Sequence, residues 1–151
     1  MKYAYINGII LDGSKEMEPQ QDKVILTDGE KIEAIVEKAQ IKDKDLAEYE
    51  ITDLAGNYIM PGLINLHLHL PATGKPKKKQ QDPVKLVKLL TSNALLRKLA
   101  LNLCASSAKT QLLSGVTTIR TVGGVLDFDS KIRDQIKEGK LIGPRILSCD
   151  M

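Results

Sequence analysis

The second part of the chain is predicted to be an α/β fold built on a parallel sheet, and the first sixty residues a strand-rich module. Three observations carry this. Residues 63–70, "LINLHLHL", are a nearly continuous apolar run, the pattern of a strand covered on both faces. Two further β-branched segments, "VTTIRTV" and "GPRILSC", are separated from it and from each other by helical patterns. The order strand, helix, strand, helix, strand matches right-handed βαβ units. Ahead of Met60 the texture differs, with short strands punctuated by Asn7-Gly8 and Asp28-Gly29, pairs that suit the positive-φ positions of tight hairpins.

Taken in order, "YAYI" and "IILD" are expected to form a hairpin about Asn7-Gly8, and "KVILTDGEKIEAIVE" a second one about Asp28-Gly29. In the second, Ile32, Ala34 and Val36 alternate with Lys31, Glu33 and Ile35, so one face should be buried and the other partly wet. Residues 38–48 are charged and suit a loop or one helical turn, and strand character returns around a turn at Gly56-Asn57. Residues 1–59 are thus read as part of a small β-sandwich and 60–151 as the α/β part. After the histidine-bearing strand comes a polar loop, "PATGKPKKKQQ". Asp82 is placed to cap a short helix with Pro83 at its first position, where no amide donor is needed. Thr91 or Ser92 is expected to cap a longer helix reaching about Ser114, closed by Gly115. Its Leu95, Leu99 and Leu103, with Leu96, Ala100 and Cys104 beside them, form a broad apolar stripe. A last helix from about Ser130 to Glu138 is expected, capped by Asp129 and stopped by Gly139.

Composition narrows the class. The 151 residues suffice for one ordinary domain, and with aromatics at only 3% the core must be mainly aliphatic. A formal charge of +3, from 22 basic and 19 acidic groups, is too balanced to imply a polyanion partner. Cys104 and Cys149 belong to no paired motif and suit reduced thiols, both expected in the core. The first residues lack a continuous apolar stretch, and no run approaches the roughly 20 apolar residues of a membrane helix. A cytoplasmic protein with no membrane partner is expected. Lys75, Lys77, Lys78 and Lys79 suit a solvated loop, or attraction of an acidic substrate. Nucleic-acid binding is not favoured, because no aromatic stacking residues accompany them.

His67 and His69 are the only histidines. Two residues apart on a strand, they project to one side, so both imidazoles can face a single point, and neutral imidazole is a common ligand of divalent metals. The competing reading is a pair packed into an interior. The following loop places them at the carboxyl end of their strand, where α/β barrels and open sheets keep their chemistry.

"MPGLINLHLHL", followed by "SGVTTIRTVGG" and "GKLIGPRIL", resembles the amidohydrolase superfamily, nearest its imidazolonepropionase-like and prolidase-like branch, over essentially the whole chain. The resemblance implies the opening βα units of a (β/α)8 TIM-like barrel, incomplete in this chain, behind part of a sandwich. It implies a hydrolase that cleaves a C–N bond in an amide, cyclic amide or dipeptide with a metal-activated water. His67 and His69 would be ligands of one or two divalent ions, zinc foremost, with the general-base aspartate on a later strand outside these residues. Arg120 could contact a substrate carboxylate or serve as a structural ion-pair partner. Asn65 replaces the family's usual Asp, and Thr121 follows Arg120 where Asp is more usual. Because about 250 residues make such a barrel, the 151 residues alone are expected to be inactive. The partners expected are a small amide or dipeptide substrate and further copies in a homo-oligomer. The alternative is a non-catalytic remnant or assembly subunit.

Overall fold

Asp28 and Gly29 close the hairpin expected of them. In the computed structural model, which describes residues 1–71 and 82–149, strands β3 (Lys23–Asp28) and β4 (Lys31–Glu37) run antiparallel with Asp28 opposite Lys31. Gly29 turns the chain at φ 58°, the glycine-first arrangement suited to a two-residue hairpin. The architecture is mixed α/β and divides into two units, Met1–Pro61 and Gly62–Met151.

Asn7-Gly8 does not make a hairpin. Strand β1 (Lys2–Ile6) pairs antiparallel with β3 and parallel with β5 (Glu50–Asp53), giving a four-stranded sheet in the order β4-β3-β1-β5. Strand β2 (Ile9–Ile10) leaves for a separate two-stranded sheet, parallel to β6 (Tyr58–Ile59). Asn7 takes the positive φ its type tolerates, 55°, but it spends the bend on switching sheets. The corner between β5 and β6 does the same, with Ala55 at φ 49° and Gly56 at 79°. The two corners are bonded together: Leu54 N–H donates to Ile6 O at 2.9 Å, Gly56 N–H to Asn7 O at 2.7 Å, and Ile9 N–H to Asn57 O at 3.0 Å. The Asn7 side chain is held by Asp53 and Lys38. Non-local pairing thus overrides a strong local hairpin signal. The charged stretch beyond β4 forms two 3-10 turns, Lys38–Gln40 and Asp43–Leu46.

The alternation expected in β4 is interrupted. Ala34 lies opposite Leu26 but Ile32 lies opposite Thr27, so Glu33 is an extra residue, a bulge. One extra residue moves what precedes it to the other face. Ile32 therefore joins Ile35 on the side of Tyr5, Ile25 and Thr27, where these residues line an apolar cleft of about 320 Å³ with Ile10, Ile59 and Pro61. Ala34 and Val36 remain on the other face, half-buried, while Ile32 is largely exposed.

In the second unit, β7 (Leu63–Leu68), β8 (Val116–Thr121) and β9 (Arg145–Leu147) form a parallel sheet in that order. Helix α1 spans Pro83–Leu90, α2 Ala94–Leu113 and α3 Phe128–Lys137. Asp82 caps α1 as expected, accepting from Val84 N–H at 2.9 Å, with Pro83 in its first turn. Asp82→Ala should cost about 1 kcal/mol. The check is faster amide hydrogen exchange in the first turn of α1 with α2 unchanged.

The cap of α2 is Asn93, which accepts from Leu96 N–H at 2.9 Å, rather than Thr91 or Ser92. Thr91 instead ends α1, and its carbonyl accepts from Arg97 Nε. Gly115 and Gly139 close α2 and α3 at φ 89° and 72°. The α2 stripe divides. Ala100, Cys104 and Ala108 are buried against Ile119, Phe128, Ile132 and Ile146, whereas Leu95, Leu99 and Leu103 are 69%, 55% and 48% exposed. Successive helical residues are rotated by roughly 100°, so the leucine row, one residue behind, misses the core that the small side chains approach closely. The apolar run of β7 is likewise not covered on both faces among the described residues. It is an edge strand there, with Ile64 63% and Leu66 61% exposed.

Cys104 is buried, as expected, but Cys149 is exposed. Burial, reinforced by the negative charge of Asp129, pushes the Cys104 thiol from 9.0 up to about 11. A thiol kept protonated by folding stabilises the fold fully below the unfolded value of 9.0, and that contribution is lost as pH rises toward about 11. A thiol reagent at pH 8 should therefore label Cys149 rapidly and Cys104 only on unfolding. Unfolding midpoints should fall between pH 9 and 11, less so in Cys104→Ala.

Candidate metal centre

Strand β7 carries His67 on its last turn of pleat and His69 just beyond its end. Three residues of β7, from Asn65 to Leu68, span the two of β8 from Ile119 to Thr121, so β7 has a bulge where the histidines begin. Asn65 accepts from His67 N–H at 3.1 Å through its side-chain oxygen. An uncharged amide does that as well as a carboxylate. Past the bulge, Val122 N–H donates to Leu68 O at 3.0 Å and ties the β8 exit to the residue between the histidines.

The two imidazoles meet. Their ring centres are 5.2 Å apart with the planes at 73°. Two imidazoles bound to one tetrahedral ion at about 2.0–2.1 Å would have centres roughly 5 Å apart, so the pair fits a shared metal. Both rings are exposed rather than packed into an interior. His69 Nδ1 lies 3.3 Å from Gly123 O, and since a carbonyl oxygen can only accept, this contact suits a proton on Nδ1 and a lone pair on Nε2. Gly123 is at φ 72°, and a methyl group there would stand 3.8 Å from His69 Cε1. That distance is ordinary van der Waals contact, so it is the positive φ that favours glycine here.

Arg120 uses Nε to donate to Leu66 O at 2.9 Å, binding β8 to the histidine strand. Thr121 is fully buried, and its hydroxyl has no hydrogen-bond partner among the described residues. Asp129 does not cap α3: Asp127 occupies that position, and Asp129 is fully buried in the first turn. Its carboxylate lies against Gly124, where a methyl group would stand 2.8 Å from Oδ2. The sequence pointed to a helix cap instead. The only signal was an aspartate at a helix start behind a Gly-Gly pair. The described residues contain no cluster of three or more His, Cys, Asp or Glu able to hold a metal. The Lys75, Lys77, Lys78 and Lys79 cluster lies outside the described residues.

No family model matches the chain, and no curated protein does. Solved structures do. A protein of Bifidobacterium longum assigned as a prolidase is 29% identical, with 97% of this chain covering 30% of that one at a TM-score of 0.71. A Xaa-Pro dipeptidase with methionine in its active site is 26% identical, 99% of this chain covering 33% of that one at 0.73. An amidohydrolase is 23% identical, 99% covering 32% at 0.75. The fold is amidohydrolase-like. The chain spans about a third of the length of these structures. Molinate hydrolase and phenylurea hydrolase B, at 21% and 18% identity, share the same amidohydrolase-like fold. Among the described residues, no helix is long and apolar enough to cross a membrane.

Proposed function

We propose that this chain is the leading portion of a metal-dependent amidohydrolase that cleaves a C–N bond in an amide, cyclic amide or dipeptide. Its three-stranded parallel sheet opens a (β/α)8 barrel, and its first unit contributes to a small β-sandwich. The observation that carries the reading is the convergence of His67 and His69 at 5.2 Å, with His69 Nδ1 engaged by a backbone carbonyl. The prolidase and Xaa-Pro dipeptidase named above support a dipeptide with a carboxyl-terminal proline as the first substrate to try.

His67 and His69 hold a divalent ion, zinc foremost, in company with ligands from outside this chain. Such an ion, when bound, would supply a water acidified toward neutral pH and Lewis acidity for the scissile carbonyl. Asn65 orients the His67 backbone, and Gly123 orients the His69 ring. Arg120 fastens the strand, and a substrate carboxylate is the group it would meet beyond that bond. A general base comes from a residue outside this chain. The setting is cytoplasmic, with a homo-oligomer as the working form.

The second reading is a non-catalytic remnant or assembly subunit. One experiment separates the two. The protein, expressed with whatever reading frame follows Met151, is assayed for bound zinc and for release of proline from an Xaa-Pro dipeptide. Zinc with no hydrolysis of any amide in a broad panel supports the second reading. Hydrolysis that persists after exhaustive chelation overturns the first.

A further inference from the structure

We infer that Asp129 is a positioning residue for His69, supporting the Gly123–Gly124 segment whose carbonyl decides which imidazole nitrogen is offered to a metal. This rests on the metal-centre reading above. Three contacts make the chain of cause. Asp129 is fully buried, and its carboxylate touches Gly124 so closely that a Cβ there would lie 2.8 Å from Oδ2 and 2.9 Å from Cγ. Gly124 is bonded to Gly123, whose carbonyl is 3.3 Å from His69 Nδ1. The β8 exit is meanwhile pinned to the histidine strand by Val122 N–H and Leu68 O. The two glycines therefore do different things: one lets the backbone reach an imidazole, the other lets it rest on a carboxylate.

The chemistry follows from the tautomer. A neutral imidazole has one protonated nitrogen and one lone pair, and the hydrogen bond at one nitrogen selects the other for the metal. With Nδ1–H given to Gly123 O, Nε2 is bare. Removing the support lets the carbonyl drift, and His69 then samples both tautomers, as a ring without such a bond does. Asp129 also sits in the first turn of α3, where a negative charge is favoured by the helix dipole. That end of the loop is thereby anchored to a rigid element rather than to solvent.

The test reads the imidazole nitrogens directly. The protein, expressed with whatever reading frame follows Met151, labelled with ¹⁵N at histidine and free of metal, is examined at about pH 8, with the His69 signals assigned by their loss in His69→Ala. Unaltered, His69 should show a single Nδ1–H tautomer. Asp129→Ala should give averaged nitrogen shifts for His69, with the amide spectrum otherwise folded. Asp129→Ser, which keeps a helix-start hydroxyl but withdraws the carboxylate from Gly124, should do the same and serves if the alanine variant does not fold. Asp129→Asn, equal in shape, should restore the single tautomer, which a general loss of stability would not predict. Zinc affinity should fall about 10–100-fold in the first two variants. A His69 that remains Nδ1–H in a folded alanine or serine variant, or that is Nε2–H in the unaltered chain, overturns the inference. If His67→Ala and His69→Ala leave zinc binding unchanged, the metal reading fails instead, and the tautomer result distinguishes the two failures.

Discussion

Replacing His67 and His69 together with alanine is expected to abolish zinc binding at this site and to lower amide hydrolysis by the longer protein at least a thousandfold. The size of the effect follows from the role proposed for the ion. A catalytic zinc usually keeps three protein ligands and one open position. Taking two ligands away leaves no geometry to hold the ion or to acidify its water. The fold should survive, because both rings are exposed and neither belongs to the buried cluster around Ile119, Phe128 and Ile132. Metal content by atomic emission and turnover of an Xaa-Pro dipeptide read the two effects separately, and circular dichroism reports the fold. Full turnover in the double variant would remove the histidines from the mechanism.

The largest effect on stability is expected from Ile119→Ala. Ile119 is fully buried at the middle of β8, the strand flanked by β7 and β9, and it belongs to the cluster formed with Cys104, Ala108, Ile132 and Ile146. Truncating a buried isoleucine to alanine costs about 2–5 kcal/mol, the lost transfer energy plus the cavity left behind. The upper half of that range applies here. The buried residues that α2 brings to this cluster are Ala100, Cys104 and Ala108, too short to fill the space without moving the helix. Ile119→Val, which removes one methyl, should cost only about 0.5–1.5 kcal/mol. Urea unfolding of the two variants tests both figures, and near-equal midpoints would show that the site collapses to fill the void.

Features set by chemistry within a few residues were readable beforehand. Asp82 with Pro83, the Asp28-Gly29 turn, Gly115 and Gly139 all act where their local signals put them. The convergence of the histidines was also foreseeable, since two-residue spacing on a strand is a local property. What escaped depends on partners far along the chain. Asn7-Gly8 bends as its type suggests, yet the strands on either side find partners in different sheets. Which leucine row of α2 is buried depends on how near the helix lies to the sheet, and the small residues settle that. Gly123 reaches His69 across 54 positions. Asp129 resembles an ordinary capping residue until its burial beneath Gly124 is known.

The extra residue between Asn65 and Leu68 has a further consequence for how this segment tolerates length changes. It is balanced by an extra residue in β8 between Val116 and Thr118, so the two strands keep equal counts from Leu63 to Leu68. Deleting Leu68 would set His67 and His69 next to each other in sequence, on opposite faces of the strand. Loss of Leu66 would leave their spacing intact, so the two imidazoles tolerate shortening ahead of them but not between them.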